Sequence, residues 1–340
     1  MKQLFRAALV LAAAFAASPL AAETFKLATV APENSQWMRD MRSGAKEISE
    51  RTDGRVKIKL YGGGVMGNDN KVLRKIRIGQ LHGGAFTAGS LMSIYPDLSV
   101  YGLPLLFNSQ EEVDFVRERF DAQLKTGLED AGYVSFGFAG GGFAMVLGNE
   151  PVRTLEDLDN QKMWVPEGDT ISYAGMEALD LSPVTLPVTD VLTGLQTGLL
   201  DVVATPPVGA LVLQWHTKVK YGTPMPLVYT MAFIAIDKKR FDRLSAEDQA
   251  VVDDVLTGIY ANFEQVNRTD NEKALAALES VGIEIVALED GELNKLRGQV
   301  ESVNRELAED NVFSLELYEA LTGALAEYRA GNAQAANTGD

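Results

Sequence analysis

Residues Tyr61–Asn68 read YGGGVMGN, and Gly62, Gly64 and Gly67 fit G-x-G-x-x-G, the dinucleotide-binding fingerprint. The preceding run RVKIKLY, residues 55–61, alternates like a strand, and NDNKVLRKIRIG, residues 68–79, is spaced like a helix. The fingerprint needs both neighbours, but it also opens the first strand–helix step and needs a carboxylate about 20 residues on for the ribose. Here Phe25–Val30 is an earlier strand-like run, and the downstream stretch FTAGSLMS, residues 86–93, holds no acid before Asp97. A turn using the positive-φ freedom of glycine is the reading that fits, with no nicotinamide or flavin cofactor.

Working outward from the turn, the order is strand, helix, strand, helix, strand. The helix over 35–52 places Trp37, Met38, Met41, Ala45 and Ile48 on one face, and Leu81–Ala88 forms the third strand. Such alternation predicts an α/β fold with a parallel sheet covered on both sides. Ser109 with Glu112 is a capping-box pair opening a helix that runs to about Gly132. A second strand–helix series follows from Met145 through Lys162–Pro166 to Asp201–Ala204. From Ser245 the pattern stays helical to about Gly282, long enough to span two lobes.

The expected fold is therefore two α/β lobes, each a sheet flanked by helices. Residues 23–143 and about 227–262 form lobe I, and 144–226 with about 263–330 form lobe II. A flexible tail is expected over 331–340.

The first 22 residues have the pattern of a secretory signal peptide: Lys2 and Arg6, an apolar run from Ala7 to Ala17, and small residues before Glu23. Removing them takes the net charge from −16 to −18, with 29 basic residues facing 47 acidic ones. That sign argues against nucleic acid as a partner. The chain has no cysteine, so disulfides, thiol chemistry and a lipidated cysteine are excluded. No other run approaches the roughly 20 apolar residues of a membrane span, so an exported periplasmic protein is expected.

Catalytic patterns are sparse. His82 and His216 are the only histidines and no metal site is expected, while G-x-S-x-G and P-loop patterns do not occur. A periplasmic hydrolase using cleft carboxylates remains an alternative, because such pairs have no fixed spacing. An exported two-lobed chain without a catalytic constellation points to capture of a solute between lobes, with closure about a hinge.

Several segments then carry a family likeness: Leu103-Pro-Leu-Leu-Phe107, Pro151–Leu158 leading into Lys162-Met-Trp-Val-Pro166, and Gly194-Leu-Gln-Thr-Gly198. Asp201, Pro206 and Leu244-Ser-Ala-Glu-Asp-Gln249 follow in order. In sequence and spacing the chain resembles the solute-binding proteins of TRAP (tripartite ATP-independent periplasmic) transporters, over essentially the whole mature length. The resemblance implies a periplasmic-binding-protein-like fold, a small-molecule ligand and delivery to TRAP membrane permease subunits.

It also implies where the ligand sits. The family carries an arginine at the place of Trp164, often another after Gly-Phe where Ala144 follows Phe143, and an asparagine at the place of Thr205. All three donors are missing here. A carboxylate needs charged partners to offset its desolvation, so the departure implies a mostly apolar or aromatic ligand. It is similar to a TRAP subset associated with a tetratricopeptide-repeat partner.

The site expected on this basis comprises Trp164, Phe143, Ala144 and Thr205. Phe86 and Thr87 lie at a strand end, and Trp37 and Trp215 join them, although core packing explains Trp37, Phe86 and Trp215 equally well. Glu167 and Asp169, in WVPEGD, either cap the helix from Thr170 or complete an aromatic cage for an organic cation.

Overall fold

The computed structural model describes residues 22–338. The leader expected over residues 1–22 lies outside them apart from Ala22. The chain builds two six-stranded sheets. The first contains β1 (Glu23–Ala28), β2 (Val56–Tyr61), β3 (Gly83–Thr87), β4 (Tyr133–Val134), β5 (Phe138–Phe143) and β11 (Tyr229–Asp237). Its order is β2-β1-β3-β11-β4, with β5 also on β11. The second contains β6 (Met145–Gly148), β7 (Lys162–Pro166), β8 (Ser182–Leu186), β9 (Val202–Thr205), β10 (Tyr221–Thr223) and β12 (Glu284–Ile285). Its order is β12-β10-β6-β9-β7-β8.

The strands β1, β2 and β3 are parallel, as the alternation of strands and helices predicts. One strand breaks that alternation. β11 returns from the other sheet and enters the first one reversed, antiparallel to β3, β4 and β5. The chain therefore changes sheets at Ala144 and again between Thr223 and Tyr229.

Local chemistry explains the helix starts. Ser35, Ser109 and Ser245 each accept a hydrogen bond from the backbone N–H three residues on. The helix Ala246–Ser280 runs for 35 residues, roughly 50 Å at about 1.5 Å per residue. The glycine turn has an equally local explanation. Its Gly62 N–H is taken by the Glu33 carboxylate at 3.0 Å, and those of Gly63 and Gly64 by the Ala31 and Thr29 carbonyls at 2.7 and 3.0 Å. A phosphate would find these amides already engaged.

The C-terminal region differs from expectation. The sequence places about 263–330 in lobe II, yet Phe313, Leu317, Tyr318, Leu321 and Leu325 lie in the core of the first lobe. Arg329 reinforces this, donating to both oxygens of the Glu112 carboxylate at 2.8 and 2.7 Å. The expected tail from 331 continues the helix Leu315–Thr338. Small, helix-favouring alanines in a polar stretch allow this, whereas polarity alone reads as loop.

The crossing strand β5 is gripped by the long helix. Glu264 accepts from Gly140 N–H at 2.6 Å, and Asn267 donates to Gly140 O at 2.9 Å. Asn271 donates to Gly141 O at 2.7 Å and accepts from Val208 N–H, in the second lobe, at 3.2 Å. One asparagine thus ties the crossing strand to both neighbours. Gly142 must be glycine here: its φ is +95°, and a Cβ would lie 2.6 Å from Asn271 Nδ2. Gly142→Ala is expected to cost about 2–4 kcal/mol, combining left-handed strain with displaced hydrogen bonds. Gly258→Ala, inside the long helix with open space around it, should stabilise by up to ~1 kcal/mol. Urea unfolding of both variants checks the contrast.

Candidate functional site

Ligands of α/β sheets sit beyond the carboxyl ends of the strands. In the first lobe those ends lead into Thr29–Ala31, the glycine turn, and Thr87–Ser90. In the second lobe they lead into Pro166–Asp169, Pro187–Asp190 and Pro206–Val208. The two rims meet. Asn68 donates to the Glu167 carboxylate across the seam. A Cβ built on Gly64 would lie 3.0 Å from Thr189 Cγ2, and one on Gly89 would lie 3.6 Å from the Asp169 carboxylate.

The seam is acidic. Asp69 accepts from the Ser90 hydroxyl, which also pairs with Thr87 Oγ1 at 2.8 Å. Burial pushes the Asp69 carboxyl above its usual range; the Ser90 bond opposes this and the nearby Glu167 charge adds to it. Burial also raises Asp169, against the Ser172 backbone and hydroxyl, which bond to it at 2.9 and 2.7 Å. Among the described residues none of Asp69, Glu167 and Asp169 is in an ion pair.

The cations near the crossing strand are engaged elsewhere. Arg117 donates to Phe138 O at 2.7 Å and pairs with Glu264 and Asp121 at 2.8 and 3.1 Å. Burial works against its charge, but those carboxylates outweigh it and hold its pKa above the ordinary value. Arg268 is held by both oxygens of Asp114 at 2.7 and 2.6 Å.

The expected site residues divide into two groups. Phe143, Ala144 and Thr205 do gather at the crossing between sheets. Phe143 is half-buried, edge-on to Tyr229 at 5.3 Å. Ala144 N–H donates to Val228 O at 2.8 Å, and Thr205 pairs with Met145. Thr87 and Glu167 lie exposed at the facing rims.

The three tryptophans and Phe86 do not line an open surface. Trp164 is only 7% exposed. Its ring packs edge-on to Trp215 at 5.0 Å inside the second lobe, and its indole N–H donates to Leu186 O at 2.9 Å. Strand alternation turns residue 164 with Met145 and Leu147 to the face covered by Trp215, so it supports the rim from behind instead of forming a bare wall. Phe86 and Trp37 belong to the core of the first lobe. Asp169 is a helix cap, and Trp164 is turned away, so the cage of tryptophan with Glu167 and Asp169 is not assembled.

Neither histidine is placed as a ligand: His82 Nδ1 accepts from Lys26 N–H at 3.2 Å, and His216 Nδ1 lies 3.0 Å from Ala210 O. Among the described residues no cluster of three or more His, Asp or Glu has metal-binding geometry.

Other residues near the site were missed. Tyr260, Glu264, Asn267, Asn271, Ala274 and Leu278 form one stripe of the long helix at four- and three-residue spacing. Polar side chains inside such a stripe signal a buried hydrogen-bonding task. Tyr260 is distinctive because its hydroxyl, next to Trp37, has no hydrogen-bond partner among the described residues.

Residues 27–311 match the model of the family described as bacterial extracellular solute-binding protein, family 7. The chain belongs to that family. A relative is the C4-dicarboxylate-binding periplasmic protein of Rhodobacter capsulatus, 25% identical over 70% of this chain and 72% of its own. A TRAP periplasmic solute-binding protein of Ochrobactrum anthropi, solved with its C-terminus in the ligand-binding pocket, superposes with TM-score 0.78 at 27% identity. That match covers 94% of this chain and 99% of that one. The sugar acid binding protein of Advenella mimigardefordensis, complexed with galactonate, has the same fold at TM-score 0.83 and 21% identity, over 90% and 99% of the two chains.

Family 7 membership makes this a TRAP-type solute-binding protein, from a family of small-molecule binders that serve a membrane permease. It is an extracytoplasmic family, and among the described residues no helix is long and apolar enough to cross a membrane.

Two outcomes follow from the geometry. Trp164→Ala should lower stability by about 3–5 kcal/mol, as a buried aromatic is lost and Leu186 O loses a donor. Trp164→Phe should cost clearly less, and chemical denaturation measures both. The second outcome concerns pH. Asp69 has a raised folded-state pKa, so its contribution is fully present below the ordinary carboxylate range and is lost as pH rises through the raised value. Asp69→Asn should therefore gain thermal stability relative to the parent at pH 7 and lose that advantage near pH 4, as read by calorimetry.

Proposed function

We propose that this family 7 protein carries a neutral, mostly apolar or aromatic small molecule with one polar end, held between the lobes and delivered to TRAP permease subunits. The supporting observation is electrostatic. The seam presents Asp69, Glu167 and Asp169, while Arg117 and Arg268 are already held by carboxylates. A small dicarboxylate would meet like charge and no free guanidinium, a cost that polar desolvation makes large. Ala144, Trp164 and Thr205 add no cation at the positions where the resemblance implies carboxylate-gripping donors.

Closure in this reading is a hinge motion at Ala144 and at Thr223–Tyr229, with Asn271 as the shared pivot. A tetratricopeptide-repeat protein is the proposed periplasmic partner, on the same resemblance. The acidic seam also favours a second ligand class, an organic cation, bound by charge and not by the tryptophan cage.

Mass spectrometry of the compound carried through native purification tests the ligand class. A neutral, largely apolar species is expected, and calorimetry with succinate and malate should show no binding in the micromolar range. Micromolar binding of either dicarboxylate would sink the proposal, and a co-purifying amine would select the second reading.

A further inference from the structure

The outer edge of the first sheet carries an open backbone ladder. β2 is an edge strand whose only neighbour among the described residues is β1. Two bonds set its phase: Glu23 N–H to Arg55 O at 2.8 Å, and Thr29 N–H to Tyr61 O at 2.9 Å. With Glu23 opposite Val56 in a parallel register, the odd-numbered residues of β2 bond to β1. The N–H and C=O groups of Val56, Ile58 and Leu60 therefore point outward.

The ends of this edge are closed by side chains. Val56 N–H donates to Thr52 Oγ1 at 3.1 Å, and beyond the strand Gly62 N–H donates to Glu33 at 3.0 Å. Between those caps, Ile58 and Leu60 form a window two residues wide. A groove of about 380 Å³ opens beside it, walled by Arg42, Ala45, Lys46 and Ser49 of the helix Gln36–Arg51 and by Lys57, Ile58 and Leu60.

The charge of this surface opposes that of the molecule. Lys57 and Lys59 of the edge strand and Arg42 and Lys46 of the groove wall put four basic side chains here, in a chain of net charge −16. Lys57 and Lys59 form no ion pair among the described residues, and Lys59 lies 5.1 Å from the Tyr61 ring centre. Arg42 and Lys46 are paired only with exposed carboxylates, Glu33 and Glu50.

We propose that this edge docks an extended acidic segment of a partner protein by strand addition. The pleat fixes its pattern. Carboxylates at alternate positions face Lys57 and Lys59, and apolar side chains between them lie over Ile58 and Leu60 in the groove. The backbone window selects a peptide over a lipid surface, since headgroups cannot continue a ladder. Lysines also blunt an edge strand against aggregation, and that simpler role binds nothing.

The test uses the mature chain and a synthetic peptide of alternating glutamate and valine, with a lysine–valine peptide as control. Saturable binding of the acidic peptide is expected at low salt, weakening as salt rises, with slowed hydrogen exchange at the Ile58 and Leu60 amides. The Lys57→Glu/Lys59→Glu variant should bind at least tenfold more weakly. Ile58→Pro removes an outward donor without touching the β1 ladder, and should do the same at unchanged secondary structure. The proposal is overturned by no saturable binding, by equal binding of the lysine peptide, or by unchanged exchange at both amides. It is equally overturned if the edge instead pairs with a second copy of the chain, or holds phosphatidylglycerol vesicles indifferently to Ile58→Pro.

Discussion

Three side chains of one helix, Glu264, Asn267 and Asn271, hold the glycine-rich strand that leaves the first sheet, and the arrangement of the lobes depends on them. β5 passes from one lobe to the other through Gly140-Gly-Gly142, where side chains would collide with Tyr229, Thr230 and Asn271. Backbone groups at such a bare crossing still need partners, because a buried unpaired amide costs as much as a lost hydrogen bond. The long helix supplies those partners from its own buried stripe. Arg117 then locks Glu264 in place from the neighbouring helix. The crossing is thus rigid in position yet slender, a geometry suited to bending at a few backbone torsions.

The opposite property marks the rims. Around the crossing, arginines and carboxylates are matched; at the seam, Asp69 and Asp169 are desolvated beside Glu167 without compensation by a cation. In the proposed cycle, closing the rims over these carboxylates carries an electrostatic cost that opening relieves. The ligand's contacts with both lobes must then exceed that cost, which is how a binding protein avoids standing closed while empty.

Much of this architecture is legible in the sequence. Alternation in RVKIKLY, the spacing from Trp37 to Ile48, and the serine caps at 35, 109 and 245 are local signals, and the elements they specify are local. The departure from a cofactor loop at YGGGVMGN, with an earlier strand before it and no acid where the ribose would need one, is also legible from the sequence. What escaped is whatever depends on distant partners. β11 reads YTMAFIAID, a plain apolar run with nothing to say that its neighbours are β3 and β5. The final helix carries its apolar residues with no mark of which lobe they complete. Trp164 occupies an informative position, but a motif cannot tell whether Trp215 will cover it. Phe143, Ala144 and Thr205 were named from strand ends that meet at the crossing, while the direction in which Trp164 faces was not readable from the sequence.

The placement of the last two helices bears on how the chain is made. The first lobe begins with β1 at Glu23, but its sheet lacks a central strand until Tyr229–Asp237 appears, and its core lacks Phe313, Tyr318 and Leu321 until near the C-terminus. A chain emerging from the ribosome cannot complete that lobe early, because the missing contacts lie more than 200 residues downstream of β1. The second lobe draws five of its strands from residues 145–223 and waits only for the short edge strand β12 at Glu284–Ile285 and the core residues beside it. Late closure of the first lobe leaves its core incomplete until synthesis is nearly over.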